Sequence, residues 1–167
     1  MQPDPIFHNL TPFSVDPIFG FRCLPFGALS PHTLYALLRL RAQVFVVEQR
    51  CVFQDMDGAD ADCLHLLCEG ADGRLLASAR LVPAGLKYAE ASIGRVVSDP
   101  AARPLKLGHT LMAEAVRQLL QLWGPQPIRI GAQAHLQHFY QRHGFVTASE
   151  PYDEDGIAHV EMLRTQA

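Results

Sequence analysis

The sequence predicts a single α/β domain in which helices pack on a sheet of mixed strand direction. Two segments with helical apolar periodicity are separated by a succession of short β-branched runs, and turn formers fall between those runs. With 49% hydrophobic residues in a chain of 167, there is enough apolar surface for one core without disulfides or metals.

The elements follow in order. Residues 1–20 carry four prolines and little periodicity, so an N-terminal arm is expected there and the domain proper over 21–167. Ser30 before Pro31 reads as an N-cap with proline in the first turn. Leu34, Leu37, Leu38, Leu40, Val44 and Phe45 then form a stripe that predicts a helix to about Val47. The segment "CVFQDMDGADAD" has turn formers and acids but no period, which predicts a loop. "CLHLLCEG" and "RLLASARLVPA" flank "GADG", whose Asp72-Gly73 step accepts positive φ, and the three together read as an antiparallel hairpin. "SIGRVVS" is a third strand.

A second helix is expected from Leu105 to about Leu122, with Leu111, Met112, Ala115, Val116 and Leu119 inward and "WGPQP" as its stop. "IRIGAQ" reads as a strand. "AHLQHFYQRHGF" reads as a short helix with Gly144 at its left-handed cap, and "FVTASEPY" and "HVEMLR" as strands around "DEDG". The predicted order is α, β, β, β, α, β, α, β, β.

A net charge of -3 supplies no basic field, so no nucleic-acid partner is expected. No apolar run approaches the ~18 residues of a membrane span, and the N-terminal stretch lacks the basic-then-apolar order of a signal peptide. The protein is expected to be cytoplasmic, with no membrane partner. Cys23, Cys51, Cys63 and Cys68 match neither a zinc ribbon nor a CxxC pair, and His135, His138 and His143 share little beyond one helix, so no metal is expected. Asp55, Asp57, Asp60 and Asp62 suggest a calcium loop, but Leu66 stands twelfth from Asp55, where a glutamate is needed. Those acids read as a solvated turn or as a rim that attracts a cationic amine. Arg80 and Arg95 lie in strand-like runs and need carboxylates; Asp57, Asp153 and Asp155 are the expected partners.

The stretch "RPLKLGHTLMAEAVRQLL" places two cations, a proline and a glycine at a strand-to-helix junction without a strong side-chain cap. Free N–H groups and the positive end of the helix dipole meet there, which suits a phosphate. One strand later, "QAHLQHFYQRHGF" carries Tyr140 four residues before Gly144-Phe145.

Together these motifs resemble the GNAT acyltransferases, in which an Arg/Gln-x-x-Gly-x-Gly/Ala loop grips the coenzyme A pyrophosphate and a Tyr-x-x-x-Gly-Phe helix passes beside the thioester. Here the loop runs from Arg103 to Gly108, with Lys106 replacing its first glycine. The blocks "LYALLRLRAQVFVVEQ", "FQDMDGAD", "IGRVVS", "GAQAHLQHFYQRHGF" and "YDEDGIAH", in that order, resemble the ElaA-type branch over most of the chain.

The resemblance implies a mostly antiparallel mixed sheet flanked by helices in one layered sandwich, and an acetyl-CoA-dependent N-acetyltransferase. It implies that the backbone of Val96, Val97 and Ser98 meets the pantetheine arm and supplies an oxyanion donor. The backbone of Arg103, Pro104, Lys106, Leu107, Gly108 and His109 would hold the pyrophosphate. Gln133 stands where many relatives carry asparagine, and Tyr140 would protonate the departing thiolate. For a general base, Glu48 is the first choice at the end of the first helix, beside His65, His135, His159 and Glu161. The implied acceptor is a primary amine of a small molecule or protein; the acidic residues near the expected entrance, not the resemblance, favour a cationic one, and a homodimer is the commonest assembly. A non-catalytic acyl-CoA-binding module and an acyl-homoserine lactone synthase-like enzyme are the other readings the sequence admits.

Overall fold

Strand β3 (Leu75–Val82) is buried at all eight of its positions, as a central strand covered on both faces requires. The computed structural model describes residues 19–165, so the expected arm at 1–20 lies outside the described residues except for its last two. Around β3 run β1 (Phe19–Pro25), β2 (Leu64–Gly70), β4 (Ala91–Ser98), β5 (Ile128–Gln133), β6 (Val146–Thr147), β7 (Tyr152–Glu154) and β8 (Ile157–Arg164). The sheet order is β1-β2-β3-β4-β5-β8-β6, with β7 on β8. Every pairing is antiparallel except β4 with β5.

Helix α1 (Pro31–Arg41) covers one face and α2 (Leu107–Trp123) the other. The Ser30 hydroxyl accepts from the Thr33 N–H at 3.1 Å, the cap that the sequence predicts. α1 continues as a wider π turn through Glu48, so the helix ends where its apolar stripe does. Leu111, Met112, Ala115 and Leu119 of α2 are essentially inaccessible and pack on Leu66, Ala79, Ile93 and Ile130. Each large apolar side chain so buried stabilises by about 1.5–3 kcal/mol. A short helix α3 (Gln137–Gln141) follows β5, and Gly144 takes the expected left-handed conformation, φ 84°. Among the described residues no helix is long and apolar enough to cross a membrane.

Two expectations are corrected. Strand β1 was not expected: its partner β2 covers only one edge, Gly20 and Pro25 interrupt its pattern, and it is held by tertiary pairing such as Arg22 with Glu69 at 2.7 Å. α2 begins at Leu107 rather than Leu105. Asp99 caps a tight turn over Pro100–Leu105, and Lys106 then adopts a left-handed conformation at φ 52°, which resets the chain direction before the helix starts.

Strand β4 is the irregular one. Gly94 pairs with Arg80 and Val97 with Ser78, so three steps on β4 face two on β3, a bulge around Arg95, whose φ is 48°. On its other side β4 pairs with β5 only at Ala91 and Ser92, after which the two strands diverge.

Candidate active site

The divergence of β4 and β5 opens the sheet in its middle, and two depressions meet there. On the α2 side a groove of about 140 Å³ is lined by Val96, Val97 and Ser98 of β4, Gly108 and Leu111 of α2, and Leu136, Phe139 and Tyr140. On the other side lies a cavity of about 650 Å³ between β4, β5, β8 and the loop 49–59. Val96, Leu136 and Tyr140 line both. Tyr140 is 9% exposed, and burial pushes its phenol up to about 12, so the hydroxyl is protonated at neutral pH.

The groove ends at the first turn of α2. No side chain caps this helix, so its leading N–H groups are free of an internal acceptor. Gly108 leaves room there: a Cβ would first meet the Phe139 ring at 3.5 Å, ordinary contact. Leu107 is 2% exposed, so it can offer only backbone. Pro104 and Lys106 are exposed, and His109 shares a 3.0 Å hydrogen bond between its Nδ1 and His143 Nε2. Arg103 reaches across to Glu48, whose carboxylate accepts from its Nη2. Thus Glu48 stands at the groove end and is not among the residues lining the larger cavity.

The cavity wall is fixed by ions. The Arg41 guanidinium, 1% exposed, donates to Asp55 at 2.9 Å and to Asp60 at 2.8 Å. Arg80 donates to Asp57 at 2.7 Å and to Asp60 at 2.9 Å, and Arg95 to Asp55 at 2.8 Å and to Asp57 at 3.2 Å. Three guanidiniums and three carboxylates close on themselves. The hydrogen bonds from Arg80 hold Asp57 well below the usual carboxylate range. This network ties the loop 51–62 to β3 and β4 and holds Arg95 in its left-handed bulge, a conformation that by itself costs about 1–2 kcal/mol. The expectation of a solvated acidic turn is corrected: Asp55, Asp57 and Asp60 are bonded to arginine. Asp57 is the one expected partner of Arg80 and Arg95 that they use, and Asp153 and Asp155 are not. Arg41 was missed because it sits on the inward stripe of α1, where periodicity calls for an apolar residue.

On the opposite wall His159 donates from Nδ1 to the Ile157 carbonyl at 2.8 Å. A carbonyl can only accept, so the proton is on Nδ1 and the Nε2 lone pair is left as the basic site. Glu154 lies 3.8 Å from that Nε2. Gln133 donates to Gln49 at 3.2 Å, and both line the cavity. His65 is buried on the Asp60 carbonyl at 3.0 Å, His135 is not among the lining residues, and Glu161 is bonded to Arg129 at 2.9 Å. Of the five basic candidates in the sequence, only His159 lines the cavity.

Residues 47–165 match a family of acetyltransferase (GNAT) domains. Over 138 residues the chain is 45% identical to Protein ElaA of Escherichia coli strain K12, covering 81% of this chain and 90% of that one. It also resembles the crystal structure of an acyl-CoA N-acyltransferase from Pseudomonas aeruginosa, with a TM-score of 0.81 and 45% identity over 87% of this chain and 99% of that one. Escherichia coli ElaA in crystal form gives a TM-score of 0.80 at 42% identity, covering 87% of this chain and 99% of that one.

Proposed function

This chain belongs to the GNAT acetyltransferase family, in the branch of the ElaA proteins, and on that premise we propose that it transfers an acetyl group from acetyl-CoA directly to the primary amine of an acceptor. The observation that carries the reading is Tyr140, a neutral acid standing where the narrow groove and the wide cavity join.

The groove suits a long ligand with a diphosphate. Beyond Ser92, β4 has no β5 partner, so backbone groups near Val96 to Ser98 are open to a second polar chain. Gly108 admits close approach, and the uncapped N–H groups of α2 with Arg103 and Lys106 favour anionic oxygen. Acetyl-CoA would bring an acyl thioester and a thiol leaving group to this place.

The chain's own residues then divide the proton work. A primary amine with a pKa of about 10.4 costs roughly 4.6 kcal/mol to deprotonate at pH 7, so a base is required. His159 Nε2, with Glu154 beside it to stabilise the imidazolium, accepts that proton directly or through water. A backbone N–H of the bulged strand near Val96 favours charge developing on the carbonyl oxygen. Tyr140 donates to the departing sulfur, and its surroundings exclude water. Glu48 orients Arg103 in this arrangement.

The test is thiol release from acetyl-CoA across a panel of primary amines. Tyr140→Phe is expected to lower kcat by about 10²-fold or more while coenzyme A binding holds. Tight coenzyme A binding with no turnover on any amine makes the protein an acyl-CoA-binding module, and absence of coenzyme A binding in the wild type removes the reading altogether.

A further inference from the structure

The large cavity carries a cation that the ionic network does not use. Arg80 and Arg95 on its wall are bonded to aspartates, whereas among the described residues no carboxylate lies within ion-pair distance of Lys87 Nζ. Lys87 belongs to the turn between β3 and β4, which is held in shape by the Gly85 N–H donating to the Tyr88 carbonyl at 2.7 Å. The residue as a whole is exposed, yet enough protein surrounds its ammonium that burial lowers its pKa, with Glu154 the main opposing attraction. The ammonium lies over the Tyr88 ring, 5.2 Å from its centroid, and has no carboxylate bonded to it.

Two neutral donors stand beside it. Gly131 of β5 lines the cavity, and a Cβ built there would lie 3.1 Å from the Tyr88 hydroxyl, 3.3 Å from the Tyr152 hydroxyl and 3.9 Å from Lys87 Nζ. Three polar groups therefore crowd one glycine, where a Cβ would press on the phenol oxygens at less than ordinary contact distance. Burial raises the Tyr88 phenol, which stays protonated, and Tyr152 is placed by stacking on the His159 ring at 6.0 Å. Of the acids nearby, Glu161 is bonded to Arg129, whereas Glu154, 3.8 Å from His159 Nε2, and Asp155 have no arginine partner and are not bonded to Lys87.

We propose that Lys87, backed by the Tyr88 and Tyr152 hydroxyls around Gly131, is a carboxylate-binding subsite of the acceptor cavity, so that the acceptor is an amino carboxylate with its anionic end on Lys87 and its amine toward His159. The inference rests on the cavity being the acceptor site. It also changes the charge expected of the acceptor. Acids in the sequence suggest a cationic molecule, but Asp55, Asp57 and Asp60 are neutralised by arginine. Among the described lining residues, the charged groups without an arginine partner are Lys87 and, on the β7–β8 side, Asp155 and Glu154 with His159, so the cavity offers a cation for a carboxylate and anions for an amine, a match for a zwitterion.

The test needs no turnover. Lys87 and Lys106 are the only lysines of the chain, so protein grown with lysine labelled at the ε-carbon gives two side-chain signals, and Lys87→Met assigns them. A panel of N-acetyl amino acids, which are reaction products for this acceptor class, is titrated against the matching N-acetyl amino acid amides. The acids are expected to shift the Lys87 signal, to raise its pKa, and to bind about tenfold or more tighter than the amides, a preference lost in Lys87→Met. Equal binding of acids and amides, or no response of the Lys87 signal to any acid, overturns the subsite. Coenzyme A binding is followed separately in the same samples: its absence counts against the acyltransferase reading, while the acid-over-amide preference still decides the subsite.

Discussion

Glu48 at the end of the first helix and Arg103 in the turn before α2 form an ion pair that joins the two layers across the end of the groove. Both side chains are close to half exposed, so the pair contributes no more than about 1 kcal/mol to stability. It acts instead on the ligand end, by fixing where the Arg103 charge sits and by partly neutralising it. Glu48→Gln should therefore leave urea stability within ~1 kcal/mol and tighten coenzyme A by no more than about fivefold. The limb of the rate–pH profile that reports the base should stay with Glu48→Gln and vanish with His159→Gln, accompanied by a fall in kcat of about 10²-fold or more. The reverse pattern returns the base to Glu48.

Gly108 separates space from fold. A Cβ there meets only the Phe139 ring at 3.5 Å, so Gly108→Ala should fold and bind coenzyme A nearly as well as the wild type. Gly108→Glu places a carboxylate at the uncapped N–H groups where phosphate oxygen is expected, and should abolish binding to immobilised coenzyme A with an unchanged circular dichroism spectrum. Retained binding in Gly108→Glu would move the diphosphate away from this turn.

Asp60 accepts from both Arg41 and Arg80, and its removal leaves two buried guanidiniums short of charge. Asp60→Asn should cost about 3 kcal/mol in denaturant unfolding. It should also loosen the loop 51–62 that walls the cavity, read as faster amide exchange there.

Acid should unfold the protein in two stages. Burial holds His65 below the ordinary 6.5 of histidine, and burial with the neighbouring His109 does the same for His143. Their folded pKa values are depressed, so the stability they confer is complete above about 6.5 and is lost as pH falls through the lower folded values. Asp57 and Asp60 follow. Arg80 lowers Asp57, and for Asp60 burial works upward but is outweighed by bonds from Arg41 and Arg80, so their contribution is lost only as pH drops below the ordinary 3.8. Chemical denaturation between pH 8 and 3 should show the first decline near pH 6.5, and a His65→Gln, His143→Gln double variant should flatten it.

What the amino-acid sequence determined by itself is local. Ser30-Pro31 and the stripe behind it set α1, Asp72-Gly73 the hairpin, Gly144 the cap of α3, and the two motifs around Gly108 and Tyr140 the family, because caps, turns and periodicity act between residues a few positions apart. What only tertiary structure decided is which charges are free. Arg41 on an apolar stripe and the acids of "DMDGAD" look unrelated along the chain, and their mutual neutralisation depends on the loop folding back over β3. The bulge likewise falls on Arg95 rather than on its neighbour Gly94, since the bonds Arg95 donates to Asp55 and Asp57 outweigh the backbone preference for glycine. Lys87 and Gly131 meet for the same reason, being 44 positions apart in the chain and adjacent only in the folded sheet.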